Sequence, residues 1–230
     1  MDDRDLPENV VQDQTLDRAA IEALIGEKPV MLRRCDLEDA DLKHLVLQGW
    51  VLDTCILKRT KLTGAKLDEI RLISCRGAFA QFNGANLTDA RIEACDFNNS
   101  DFRGATLTGT SFTRCKLTGA NLRETKSLNV TFEETLLSSA QLPGFSFNKA
   151  RLKKLDFELA NLTRCDFRQT VFEDCVLRDA NLAECRFEGA DLRGADLGGI
   201  RLLNAKLFKG ATISRAQAGQ LLAELGLKVQ

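Results

Sequence analysis

Large apolar residues recur at every fifth position over most of the chain. From Leu32 to Leu207, 34 of the 36 residues at this spacing are Leu, Phe or Ile, with no insertion or deletion. A period of five fits neither the helical period of 3.6 nor the strand period of two, so it indicates a structural repeat. We call the apolar position i. Position i−2 is never charged, whereas i−1, i+1 and i+2 carry all the charges of this region. Two residues in five are therefore expected to face a core.

Cysteine marks a second period, of 20 residues. All eight cysteines lie at i−2, and five of them form one regular series: Cys35, Cys55, Cys75, Cys95 and Cys115. If four pentapeptides make one turn of a coil, these side chains form one internal row, and the coil has four sides and nine turns. Ala, Ser and Thr occupy the same slot elsewhere, so we interpret the cysteines as small buried residues and not as disulfides or metal ligands.

Short triplets within the repeat point to a known family. Ala85-Asn86-Leu87 and Ala190-Asp191-Leu192 are two of seven triplets that resemble the Ala-Asp/Asn-Leu signature of pentapeptide-repeat proteins, and the resemblance covers about residues 30 to 209. It implies an all-β fold, a right-handed quadrilateral β-helix (solenoid) with short parallel strands and tight corners. Ten glycines at i+2, among them Gly84 and Gly194, fit corners where the backbone needs a positive φ angle.

The segments outside the repeat predict a cap at each end of the coil. We divide the chain into an acidic N-terminal segment with a capping helix (1–29), the β-helix (30–210) and a C-terminal capping helix (211–230). The first helix is predicted over residues 15–25 with Thr15 as its N-cap. In the second, Ser214 and Gln217 form a capping-box pattern, and Gly226 with Leu227 suits a Schellman end.

The C-terminal helix is predicted to place four apolar residues on one face, namely Ala218, Leu221, Leu222 and Leu225. That face would cover the open core of the last turn, as the end of any solenoid requires. It could also build a homodimer, which the resemblance to gyrase-interacting members of the family implies.

Two positions break the apolar series, Gly77 and Ser127. One interpretation is that Phe79 and Leu128, which lie close by in sequence, turn inward and fill the gaps. The other is that a bulge or kink at these points shapes a binding surface.

Composition favours a binding protein over an enzyme. The net charge is −1, no apolar run is long enough for a membrane span, and the N-terminus lacks the order of a secretory signal, so we expect a cytoplasmic protein. The sequence has one histidine, His44, at an outward position, and it has no phosphate-binding loop or metal motif. We therefore predict no catalytic residues, no cofactor and no metal.

The predicted partner is a protein that contacts a flat side of the coil, or the coil serves as a rigid scaffold. The alternative, implied by the family resemblance, is binding of DNA gyrase or another type II topoisomerase by DNA mimicry, with protection from quinolones or peptide toxins. Nine turns would be about 43 Å long, and duplex DNA of that length carries about 25 negative charges. The repeat instead has 27 basic and 24 acidic residues. Direct nucleic-acid binding is not expected either, because Arg151, Lys153 and Lys154 form only a local cluster.

Overall fold

The chain folds as a parallel β-solenoid of about nine turns with two helices, as the sequence predicted. The computed structural model describes residues 7–199, 206–224 and 226–228. The described elements in chain order are β1 (Asn9–Gln12), α1 (Arg18–Leu24), β2 (Val30–Arg33), β3 (Val51–Asp53), β4 (Arg71–Ile73), β5 (Arg91–Glu93), β6 (Ser111–Thr113), β7 (Thr131–Glu133), β8 (Arg151–Lys153), β9 (Val171–Glu173), β10 (Cys175–Val176), β11 (Ala195–Asp196) and α2 (Arg215–Glu224).

Each turn of the solenoid takes 20 residues. Parallel pairing joins Leu32 to Leu52, Leu52 to Leu72 and Leu72 to Ile92, which confirms the 20-residue period that the cysteines indicated. We number the four sides of a turn by their apolar positions, starting with Leu32 (side 1), Leu37 (side 2), Leu42 (side 3) and Leu47 (side 4), and adding 20 for each further turn. Side 1 forms most of the strands, and β10 and β11 lie on side 2. Otherwise, sides 2 to 4 are joined mainly by single β-bridges.

Residue contacts divide the chain into two compact units, unit 1 up to Thr131 and unit 2 from Phe132. In unit 1 the strands β1 to β6 pair in sequence order, and in unit 2 β8 pairs with β9 and β10 with β11. Phenyl rings fill much of both cores. In unit 1 Phe82 and Phe102 stack with ring centres 4.6 Å apart. In unit 2 Phe147 and Phe167 stack at 5.1 Å.

The corners of the turns use a left-handed backbone. From Arg34 to Gly199, every described i+2 residue except Gly194 has a φ angle between +49° and +76°. The prediction of positive φ at corner glycines is thus confirmed for nine of the ten, and wrong for Gly194. There the reason for glycine is a close approach, because an added Cβ would lie 2.3 Å from the carbonyl oxygen of Phe172.

The N-terminal segment begins the coil earlier than the sequence suggested. Strand β1 pairs in parallel with β2, and Thr15 forms a β-bridge with Asp36. Thr15 is therefore not the N-cap of α1. That position is held by Asp17, whose side chain accepts a hydrogen bond from the backbone N–H of Ala20 at 2.9 Å. Helix α1 then buries Ile21 completely at the entrance to the core.

The C-terminal helix closes unit 2 through polar and apolar contacts. Gln217 is buried, and its Nε2 donates to the carbonyl oxygens of Leu192 and Ala195, both at 2.7 Å. The predicted capping box is confirmed, because the Ser214 N–H donates to Gln217 Oε1 at 2.7 Å and the Gln217 N–H donates to Ser214 Oγ at 3.1 Å. The helix thus gives the carbonyl of Ala195 a donor, and it adds a second donor to the carbonyl of Leu192, which also accepts the N–H of Ala195 at 2.9 Å.

The end of α2 is the predicted Schellman motif. Leu227 N–H donates to the carbonyl of Leu222, and Gly226 N–H donates to that of Ala223, with φ of +80° at Gly226. This pair of bonds satisfies carbonyls that the end of a helix otherwise leaves open.

Candidate protein-binding side

The thiols of the internal cysteine row form hydrogen bonds with backbone groups at the corners that follow the side 1 strands. At other corners a backbone N–H closes the turn, as from Ala65 to the carbonyl of Leu62 at 3.1 Å. After the side 1 strand, a thiol takes part instead. Cys95 Sγ accepts the N–H of Cys75 at 3.3 Å and also donates to the carbonyl of Leu72 at 3.3 Å. Because one sulfur can both accept and donate, cysteine suits this corner.

All eight thiols are free and buried. Burial is the main cause that raises the pKa of Cys115 to about 11, and it also raises the pKa values of Cys35 and Cys175. A thiolate is the reactive form of cysteine, so these groups are inert near neutral pH. Among residues 7–199, 206–224 and 226–228, no group of three or more His, Cys, Asp or Glu is placed to hold a metal ion.

The gap at Gly77 is filled by a side chain from the next turn. A Cβ at Gly77 would lie 2.2 Å from the ring of Phe97, which is fully buried. The expectation that Phe79 turns inward is wrong, since its side chain is 54 % exposed. Its backbone has φ of +61°, the corner conformation, in which the side chain points to solvent.

The gap at Ser127 is not filled by Leu128, whose side chain is 67 % exposed. The expectation of an inward Leu128 is therefore also wrong. The inward positions Thr125, Ser127 and Val130 are all half-buried, unlike their fully buried counterparts in earlier turns. The boundary between the two units lies immediately after this segment in the sequence, at Thr131. Loss of one large apolar residue thus coincides with a locally thinner core.

The predicted face of the C-terminal helix is only partly buried. Leu221 is buried and Ala218 half-buried, whereas Leu222 is exposed. Leu225 lies outside the described residues. The buried stripe instead runs through Gln217 and Leu221, because residues four apart lie on the same side of a helix.

Charged side chains on side 1 of unit 2 neutralise one another across turns. Lys154 contacts Glu134 at 2.9 Å and Lys153 contacts Glu133 at 3.5 Å. Arg151 pairs with Glu173. The basic cluster of Arg151, Lys153 and Lys154 is therefore paired with carboxylates of neighbouring turns, and it gives no uniform positive field for a nucleic acid.

Side 2 of unit 2 is different, because its carboxylates outnumber its bases. The outward positions carry Asp156, Glu158, Asp179 and Asp196 against Arg178, for a net charge of −3. Side 2 of unit 1 has equal numbers of acids and bases. The acidic excess of this side of the repeat thus lies entirely in unit 2. We call the surface formed by side 2 of unit 2 the acidic patch.

Exposed apolar side chains lie within the acidic patch. Leu136 and Val176 alternate with Asp156 along one row of parallel bridges, and Leu136 is exposed. Leu159 occupies a corner with φ of +57° and is 60 % exposed. Its backbone is held by a hydrogen bond from its N–H to the carbonyl of Arg178 at 3.0 Å. The apolar side chains are thus presented to solvent on a fixed backbone.

Only part of the negative charge in the acidic patch is compensated. Arg178 donates to Asp196 at 2.6 Å, and the N–H of Gly198 donates to the same carboxylate at 3.0 Å. The Gly198 N–H, and after it Arg178, lower the pKa of Asp196. Asp156 accepts from the hydroxyl of Ser138 at 2.8 Å. Within the described part of the chain, Glu158 and Asp179 form no ion pair within 4.0 Å.

The charge totals of the repeat, 27 basic and 24 acidic residues, do not indicate the acidic patch, because they combine all sides and both units. A signal was nevertheless present. Leu159 and Phe79 are the only large apolar residues at i+2 in the repeat between residues 30 and 199. An aliphatic residue at a corner that favours Gly, Asn or Asp could have been singled out.

Comparisons with known proteins agree with the fold. The family model for pentapeptide repeats matches eight copies, over residues 55–93, 85–123, 129–169, 160–199 and 170–207. No curated protein matches significantly. Among solved structures, full-length QnrB1, a plasmid-mediated fluoroquinolone resistance protein, is similar with a TM-score of 0.71 at 19% identity, covering 95% of this chain and 100% of that chain.

HetL, a pentapeptide repeat protein involved in heterocyst differentiation regulation in the cyanobacterium Nostoc, matches with a TM-score of 0.40 at 20% identity, covering 81% of this chain and 86% of that chain. At these identities the structural likeness to QnrB1 concerns the fold alone. The repeat matches extend over more than half of the residues, and the chain belongs to the pentapeptide repeat family.

Proposed function

We propose that the protein is a non-enzymatic interaction module that binds a protein partner through the acidic patch of unit 2. The observation that carries this proposal is Leu159, a 60 % exposed leucine in a left-handed corner conformation. A leucine at this position contributes little to the stability of the fold, because its side chain is exposed, and its left-handed backbone conformation is unfavourable. Exposed apolar groups surrounded by polar residues are typical of protein contacts.

The charge of the patch indicates the kind of partner. Glu158 and Asp179 have no ion-pair partner among the described residues, so a basic surface could approach without breaking existing bonds. Complementary charges mainly increase the rate of association and select the partner, whereas buried apolar contacts supply affinity. We therefore expect a partner with lysine or arginine residues around an apolar centre.

A matched pair of variants tests this proposal. Leu159→Asn removes the apolar side chain and suits the left-handed corner, and Phe79→Asn makes the same change at the same kind of corner in unit 1. Tagged wild-type and variant proteins are used to isolate bound proteins, which are quantified by mass spectrometry. A specific partner should be lost with Leu159→Asn and with Glu158→Lys but retained with Phe79→Asn. Equal recovery with all variants would contradict the proposal.

DNA gyrase is the alternative partner. The fold is similar to that of QnrB1, described as a fluoroquinolone resistance protein, and the family resemblance implies gyrase binding. The patch extends over four turns, about 14 Å between the first and the last. Duplex DNA of that length would carry about 8 charges, against a net charge of −3 here. Supercoiling by purified gyrase, with and without a quinolone, tests this alternative, and unchanged activity with no binding would exclude it.

A homodimer through the C-terminal helix is a further proposal, supported by exposed Leu222, Ile213 and Leu227. Removing the whole helix would also remove the contacts of Gln217 with unit 2. Leu222→Glu leaves those contacts in place. Sedimentation of this variant should show a monomer if the helix forms the dimer, whereas an unchanged dimer would exclude the helix as the interface.

A further inference from the structure

A groove opens at the N-terminal end of unit 1, between the loop that follows α1 and side 4 of the first turns. Its volume is about 320 Å³, near the lower limit for sites that bind small molecules or single side chains. Its lining includes Ile25 and Pro29 of the loop, Val46 of side 4 and Trp50. The groove lies far along the sequence from the acidic patch and shares no residue with it.

Apolar side chains in this groove are left open to water. Ile25 is 38 % exposed and Val46 is 45 % exposed, although both are large aliphatic residues beside a nearly closed core. Trp50 is almost fully buried, and it also contacts a small internal cavity of about 10 Å³ together with Ile21. The indole thus lies between the core and the groove. An aliphatic side chain of a partner would complete the contacts that Ile25 and Val46 lack.

Charged residues at the groove determine which kind of group is favoured next to the partner's aliphatic side chain. Two carboxylates, Glu27 and Glu69, line it and are exposed. Lys28, the cation among the lining residues, is paired with Glu8 at 3.1 Å. Lys66, next to Val46 on the following turn, is exposed but does not line the groove. Among residues 7–199, 206–224 and 226–228, neither Glu27 nor Glu69 forms an ion pair within 4.0 Å. The lining residues therefore carry a net negative charge, which favours a cation beside the apolar group.

We propose that this groove is a docking site for a partner segment in which a bulky aliphatic residue is adjacent to a lysine or arginine. The aliphatic side chain lies between Ile25 and Val46, and the cation lies between Glu27 and Glu69. This proposal does not depend on the acidic patch, and either one can fail without the other.

The protein carries its own reporter for this site. Trp50 is the only tryptophan and the chain has no tyrosine, so fluorescence excited at long wavelength reports on the groove alone. The probes are acetyl-leucyl-arginine amide, acetyl-leucyl-glutamine amide and acetyl-glycyl-arginine amide. We expect a saturable change with a millimolar dissociation constant for the first probe, and binding several-fold weaker for the other two.

Variants place the effect in the groove. Val46→Ser should abolish the saturable change, whereas Val10→Ser, at an equally exposed valine on β1, should leave it intact. Glu69→Gln should reduce the advantage of the arginine probe over the glutamine probe. The proposal would be overturned by equal binding of the three probes, by equal effects of the two valine variants, or by unchanged Trp50 fluorescence together with unshifted amide NMR signals of Gly26 and Gly49.

Discussion

At the scale of single residues, the corners set the main constraint on this sequence. Position i+2 adopts a left-handed backbone almost throughout, yet 24 of these positions carry residues other than glycine. A side chain in that conformation costs about 1 kcal/mol or more relative to glycine. Regular cross-turn hydrogen bonds, such as the one from Arg59 N–H to the carbonyl of Ala78 at 3.1 Å, hold the corners in place.

The cost of a corner can be measured at Gly84. A Cβ there would meet no atom within 4 Å, but φ is +62°, so Gly84→Ala tests backbone strain without a steric clash. We expect the free energy of unfolding to fall by about 1 kcal/mol in chemical denaturation. The control is Gly26→Ala, where space is also open and φ is not left-handed. It should be neutral or slightly stabilising. Equal effects of both variants would show that the corner conformation carries no cost.

The buried thiols predict a pH dependence of stability. The pKa of Cys115 is raised to about 11 in the folded chain, against about 8.5 for an unperturbed cysteine. Between these values the unfolded chain binds fewer protons than the folded chain, so the free energy of unfolding falls as pH rises. The loss approaches about 1.4 kcal/mol per pH unit for each such thiol.

Cys115→Thr provides the test, since Thr135 occupies the equivalent slot one turn later in the sequence. Urea denaturation between about pH 8.5 and 10 should show a shallower decline for this variant than for the wild type. A decline of the same slope would mean that Cys115 does not contribute to the pH dependence.

At the scale of elements, the helices complete hydrogen bonds that the solenoid leaves open at its ends. Gln217 provides two donors to carbonyls of unit 2 and also completes the capping box. Arg18 of α1 acts similarly in unit 1, with Nη1 donating to the carbonyls of Asp41 and Lys43 at 3.0 and 3.2 Å. Each helix is therefore fixed to its unit by polar bonds as well as by one buried apolar residue.

We expect Gln217→Met to destabilise unit 2 by about 2 kcal/mol while the volume is kept. The carbonyl of Ala195 loses the Gln217 donor, and the carbonyl of Leu192 keeps only the N–H of Ala195. Gln220→Met makes the same change on the exposed side of α2 and should have little effect. The two variants are compared by thermal and chemical denaturation. Similar stability of both would contradict the role given to the Gln217 amide.

The sequence predicts those elements that follow the regular repeat and does not predict those that lie before its interruption. The apolar period and the cysteine spacing predict the turns, because each inward residue repeats in every turn. The sequence does not predict strand β1, because α1 interrupts the repeat. Val11 and Leu16 have the five-residue spacing, but they lie before this interruption. The N-cap at Asp17 is not predicted for the same reason. Thr15 belongs to a partial turn before the helix, and the sequence alone does not show this.

At the scale of the whole molecule, function depends on which charges remain unpaired. Every side of the repeat contains acids and bases, and the sequence does not show which of them meet across turns. Lys154 is neutralised by Glu134, whereas Glu158 has no ion-pair partner among the described residues. This pairing depends on rotamers and on the 20-residue register together. The acidic patch and the N-terminal groove therefore became visible only in three dimensions.

The central claim is that the acidic patch is the surface that contacts a partner. Its most direct test is site-specific photocrosslinking in cells, with p-benzoylphenylalanine replacing Leu159 in one protein and Phe79 in another. Both positions are exposed corners with similar backbone conformation, so the reporter is presented in the same way. We predict a discrete crosslinked protein from position 159, absent from position 79 and suppressed by Glu158→Lys. A crosslink from position 79 with none from position 159 would contradict the account.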